Sequence, residues 1–135
     1  MQEDPKEREI TNKILSAMEK QFGFIPVVNQ VLSERPDMFI PTANLGKAIL
    51  EGRGVLDQKT RYLAAVSAAT ALGGQYCVKV QMHHAAQAGA TRDEILESMI
   101  IGSYMAMTRS QSYAFREYAE MFQTESGTDD AQGNH

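Results

Sequence analysis

The sequence predicts an all-α fold, a single-domain bundle of six to seven helices. Strand signals are nearly absent: alternating β-branched runs are few, and no Asn-Gly or Asp-Gly turn separates apolar segments. Apolar residues instead recur at helical spacing, with Gly and Pro at intervals of helix length. A chain of 135 residues, 43% of them apolar, has room for one core and needs no disulfide or structural metal to stabilise it.

The elements follow in order. Ile10, Ile14, Met18 and Phe22 recur every four positions and predict a first helix from Glu7 to Phe22, ended by Gly23. Gly23-Phe24-Ile25-Pro26 reads as a turn into a short helix from Pro26 to Glu34. Ser33 and Pro36 resemble a cap and a starter for a segment carrying Met38, Phe39, Leu45, Ile49 and Leu50, which Pro41 should kink or divide. Asp57 is a plausible cap for a helix through Leu63, Val66 and Leu72, broken at Gly73-Gly74. The next helix should run from Gln75 to Ala88 and end at Gly89. Thr91-Arg92-Asp93-Glu94 has the spacing of a capping box before Ile95, Met99 and Ile100, and a separate last helix is expected from about Ser110 to Phe122. This gives a helical domain over 1–123 and a tail over 124–135, TESGTDDAQGNH, expected to be disordered for want of an apolar anchor. The eight Met residues are read as adaptable packing in the core or between helices.

Charge and composition exclude several classes of function. With 13 Lys and Arg against 17 Asp and Glu, the net charge of -4 withholds the attraction that dominates nucleic-acid binding, so neither nucleic acid nor an anionic membrane is an expected partner. No apolar run approaches the length of a membrane span, and the charged start MQEDPKEREI lacks the apolar region of a secretory signal, so a cytoplasmic location is expected. The single cysteine, Cys77, forbids an intramolecular disulfide or a self-contained dithiol cycle.

The candidate chemistry lies on the helix after Gly73-Gly74. Cys77, Gln81 and His84 fall at i, i+4 and i+7 and share one face. Cys77 sits in the first turn, where the helix dipole favours thiolate; the alternative is a small buried hydrophobe. His84 is a candidate general acid or base, or else a partly exposed helix histidine. Adjacent His83 and His84 point about 100° apart and lack the i, i+4 spacing of a zinc motif, so no metal site is assigned and no cofactor is expected.

The run from Leu56 to about Met105 carries a family resemblance. Leu-Asp-x-Lys-Thr-Arg from Leu56, an alanine-rich helix, Tyr76-Cys77-Val78, Ala88-Gly89-Ala90-Thr91 and Glu94-Ile95 resemble the core of the carboxymuconolactone decarboxylase and alkylhydroperoxidase D-like family, over about a third of the chain. Gly23-Phe24-Ile25-Pro26 is similar to that family's entry turn. The resemblance implies an all-helical fold whose small subunits pair through their helices into homo-oligomers, commonly trimers or hexamers built from dimers.

In the peroxidase branch, the resemblance implies a Glu, a C-x-x-C pair and a His four residues after the second Cys, with two thiols doing the redox work. Here the second Cys falls on Cys77, the first on Gly74, the His on Gln81 and the Glu on Tyr62. In the decarboxylase branch, it implies cofactor-free protonation of a lactone or dienolate by a helix histidine, and Gln81 again stands at that position. Three readings follow: a single-cysteine peroxide or thiol-redox protein, peroxiredoxin-like and antioxidant, in which an external thiol resolves Cys77; a decarboxylase or isomerase acting on a small-molecule substrate with His84; and a non-catalytic, ligand-binding homo-oligomer with a degenerate site. Tyr62, Gly74, Gln81 and His83 are the expected pocket residues, with Tyr62 and Gln81 the polar ones beside His84 in the second reading.

Overall fold

The computed structural model describes residues 3–123, and within them the chain forms six helices and no strand. They are α1 (Pro5–Phe22), α2 (Val27–Leu32), α3 (Pro36–Glu51), α4 (Gln58–Leu72), α5 (Gln75–Gln87) and α6 (Arg92–Met121). The expected tail over 124–135 lies outside the described residues. No helix among the described residues is long and apolar enough to cross a membrane.

Local chemistry sets most of the boundaries. The Asp4 side chain accepts from the Lys6 backbone N–H at 2.9 Å and Pro5 opens α1, two residues earlier than the apolar periodicity suggests. Gly23 ends α1 at φ 78°, a left-handed conformation that a side chain would disfavour. Asp57 caps α4 through the Thr60 N–H at 2.8 Å, and Gly73 closes it at φ 74°. At α6 the capping box forms in full: Thr91 Oγ1 accepts from the Glu94 N–H at 3.1 Å, and Glu94 Oε1 accepts from the Thr91 N–H at 3.2 Å.

Four expectations are corrected. Ser33 does not cap α3; it ends α2 and its hydroxyl donates to the Gln30 carbonyl at 2.6 Å, while Arg35 precedes the Pro36 start. Pro41 does not divide α3: as the sixth residue of the helix it removes the one N–H that would bond the Asp37 carbonyl, and the ten residues after it carry the helix on. α5 stops at Gln87 with Ala88 as its cap, and Gly89 takes its positive φ of 93° just beyond. The two expected final helices are one continuous helix of 30 residues, since no proline interrupts 92–121 and Gly102 is tolerated within it.

α4 is the central element, packed between α5 and α6, while α1 lies against α3. The core cluster is Tyr62, Val66 and Ala85, bordered by Leu50, Leu63, Met82, Met99 and Ile95. Two of the eight Met residues border that core, whereas Met38, Met105, Met107 and Met121 are exposed. The α4–α6 crossing is tight: a Cβ built on Gly102 would stand 2.2 Å from the Ser67 backbone carbonyl oxygen. Replacing Gly102→Ala should therefore force the two backbones apart and lower stability by about 1–3 kcal/mol, measured by urea denaturation, even though alanine has the better helix propensity.

Candidate functional site

Two helices and the ends of two others converge around Tyr62 and His84. Tyr62, on the second turn of α4, is 4% exposed. Gln58, one turn earlier, donates its Nε2–H to Tyr62 Oη at 3.1 Å, and Tyr62 Oη donates to Glu51 Oε1 at 3.4 Å. Glu51 is the last residue of α3, and the segment after it is fixed by Arg61, whose Nη1 donates to the Gly52 carbonyl at 2.6 Å and whose Nε donates to the Leu56 carbonyl at 2.9 Å. A Cβ at Gly54 would lie 2.5 Å from Arg61 Nη2, so glycine lets the loop wrap around the guanidinium.

The His84 ring lies 4.8 Å from the Tyr62 ring, centroid to centroid, and 5.2 Å from Phe22 at the end of α1, which meets it edge-on. Its Nδ1 is 3.2 Å from Gln81 Oε1. A carbonyl oxygen only accepts, so this pairing places the imidazole proton on Nδ1 and leaves Nε2 with a free lone pair. Burial holds the His84 pKa below its ordinary 6.5; the Glu51 charge pulls it upward and His83 pushes it down, and burial prevails. Burial raises the Tyr62 phenol above 10.0, the Gln58 hydrogen bond opposes that, and Glu51 adds to it, so the hydroxyl keeps its proton at neutral pH.

The sequence-derived site residues thus separate into three places. Tyr62, Gln81 and His84 come together, and Glu51, Gln58 and Phe22 join them. Cys77 is exposed in the first turn of α5, about 10 Å along the helix axis from His84, and its Sγ forms no hydrogen bond among the described residues. Gly74, the cap of α5, is its neighbour: a Cβ there would lie 3.3 Å from Cys77 Cβ and 3.6 Å from its Sγ. His83 is exposed and faces a shallow groove of about 370 Å³ along α5. Gln58 was legible as a partner one turn from Tyr62 on the same helix face. Glu51 and Phe22 reach the site across loops and carry no signal in the local sequence. No group of three or more His, Cys, Asp and Glu among the described residues is placed to hold a metal ion.

This arrangement defines an all-helical protein with a half-buried acid-base cluster on its central helices. The model of the carboxymuconolactone decarboxylase family matches residues 36–120, from the start of α3 almost to the end of α6, and the chain belongs to that family. No match was found among curated proteins or among solved structures.

The site predicts a pH dependence of stability. His84 has a folded pKa below its unfolded value near 6.5, so above that pH both states are neutral and the stability is complete. As pH falls below about 6.5 the unfolded chain takes up the proton first, and stability declines until the folded pKa is passed. Urea midpoints between pH 7.5 and 5.5 should fall for the native protein and flatten in His84→Gln.

Proposed function

We propose that the chain catalyses proton transfer to and from carbon in a small carboxylated lactone or dienolate, as in decarboxylation or double-bond isomerisation, with His84 as the acid-base residue. The observation that carries this reading is the Gln81–His84 pair, which presents a neutral imidazole with an unprotonated Nε2 against the buried Tyr62. In an isomerisation Nε2 takes a proton from the carbon beside a carbonyl, the electron pair moves into the conjugated enolate, and the imidazolium returns the proton at the far carbon. Glu51 supports the transient imidazolium charge, and the Gln81 carbonyl retains the Nδ1 proton throughout. The chemistry resides in an imidazole and needs no further group.

The test is a screen of γ-lactones bearing a carboxylate, followed by ultraviolet absorbance. His84→Gln should lower kcat by at least about 100-fold, with Cys77→Ser unchanged, and the acid limb of kcat/KM should lie below about pH 6.5 because His84 titrates low. An activity that survives His84→Gln intact rules this assignment out.

A second reading rests on the exposure of Cys77. A single accessible thiol at a helix start can carry peroxide chemistry as far as a sulfenic acid, with an external thiol as reductant. Peroxide should then give a dimedone-reactive Cys77 and no intramolecular disulfide. In Gly74→Cys the new Cβ falls close to the usual disulfide separation of about 3.5–4.5 Å, so the variant should form an intramolecular disulfide, read by intact mass and thiol titration. A Cys77 that stays unmodified by peroxide in the folded protein eliminates this reading.

A further inference from the structure

The groove along α5 differs from the rest of the surface in its charge. Two rows of side chains run along it. Val78, Met82 and Ala86, spaced four apart, form an apolar row with Ile95 of α6, and Gln75, Lys79 and His83, with the same spacing, form a polar row beside it. The chain carries 17 Asp and Glu and a net charge of -4, yet among the described residues no carboxylate lines this groove.

Lys79 is therefore a cation without a counter-ion. Arg8, Lys13, Arg35 and Lys59 each have a carboxylate partner, whereas Lys79 has none among the described residues. Its ammonium lies 4.3 Å from the centroid of the Phe24 ring, in the turn that follows Gly23. An aromatic face attracts and positions an ammonium but carries no net charge to neutralise it. The Gly23-Phe24-Ile25-Pro26 turn thus sets a fixed positive charge on the rim of an apolar groove.

The dimensions and chemistry of the groove define what it suits. Its volume is about 370 Å³, within the usual range for small-molecule sites of about 300–1,000 Å³. From Val78 to Ala86 the apolar row runs about 12 Å along the helix axis, the reach of a medium-length alkyl chain. Gln75 and His83, one turn to either side of Lys79, can each offer an N–H to an anion held there. A single cation beside an apolar row matches one negative charge on an apolar body. A neutral molecule would leave that cation unanswered, and a phosphate would bring a second charge with nothing to meet it.

We propose that the α5 groove binds a free medium-chain monocarboxylate, with the carboxylate on the Lys79 ammonium and the alkyl chain on Val78, Met82, Ala86 and Ile95. This site is distinct from the His84 cluster, since Glu51, Tyr62 and Gln81 line no part of the groove. Phe22 stands between the two, its ring 6.2 Å from that of His83 and 5.2 Å from that of His84. The assignment is independent of the chemistry proposed for His84.

Octanoate is the probe, titrated into the full chain with isotope-labelled methionine methyl groups. Met82→Leu assigns the Met82 resonance, and circular dichroism confirms that each variant keeps its helix content. Octanoate should shift the Met82 methyl resonance saturably, and octan-1-ol, which has the same chain and no charge, should bind at least about tenfold more weakly. Lys79→Met should weaken octanoate by at least about tenfold and leave octan-1-ol nearly unchanged. Ala86→Asp, at an exposed position in the path of the alkyl chain, should weaken both. His84→Gln should leave the octanoate affinity as it is. A Met82 resonance unmoved by millimolar octanoate overturns the proposal, as does a titration indifferent to Lys79→Met. Octanoate binding that survives Lys79→Met but is lost in His84→Gln also overturns it, by placing the carboxylate at the imidazole.

Discussion

The close crossing of α4 and α6 is the constraint on which the rest of the fold depends. Gly102 permits the α6 backbone to approach the Ser67 carbonyl without a side chain between them. That proximity seals one side of α4 over Val66 and Ala69, and it leaves α4 free to present Tyr62 toward α3 and α5. Few large side chains share this core, since among the described residues its buried cluster is Tyr62, Val66 and Ala85, so shape rather than bulk holds the helices in register. A lost fit at Gly102 would propagate to the site because the same helix carries both.

Within the site, two opposing effects act on His84 and their balance decides its chemistry. Burial against Phe22 and Tyr62 favours the neutral imidazole, and the carboxylate of Glu51 favours the charged one. Burial wins in the resting protein, yet the carboxylate is close enough to influence the ring through its field, so protonation is penalised without being forbidden. Tyr62 links the two groups: it stacks on the imidazole and spends its proton on Glu51, with Gln58 supplying the donor that its oxygen accepts. Arg61 acts at one remove by pinning the loop after Glu51, and its charge also favours ionisation of Tyr62, though less than burial opposes it.

The sequence disclosed the features governed by local chemistry. Caps at Asp57 and Thr91, the break at Gly73 and the pairing of Gln81 with His84 on one face of α5 all depend on residues within a turn of each other. Tertiary context governed what it concealed. Pro41 looked like a divider because its ring and missing N–H weigh against a helix, but only one hydrogen bond is lost there and the residues that follow continue the helix. The absence of a break near Ser110 could not be read from spacing, since the apolar pattern on both sides suits one helix as well as two. Glu51 escaped notice because its approach to Tyr62 is created by the Arg61-bound loop, which brings together residues eleven apart in sequence.

The side chains at the two positions where the family resemblance called for a Glu and a His, 62 and 81, both touch His84 in this chain, as does Phe22. Moving a proton carrier from position 81 to 84 advances it by 300° and about 4.5 Å along α5, which leaves it nearly on the same face and toward Tyr62. Position 77, by contrast, stays at the exposed start of the helix, and the residue that would have faced its thiol is Gly74. What separates the thiol from the imidazole here is the axial rise of α5, which sets Cys77 and His84 about 10 Å apart along one helix.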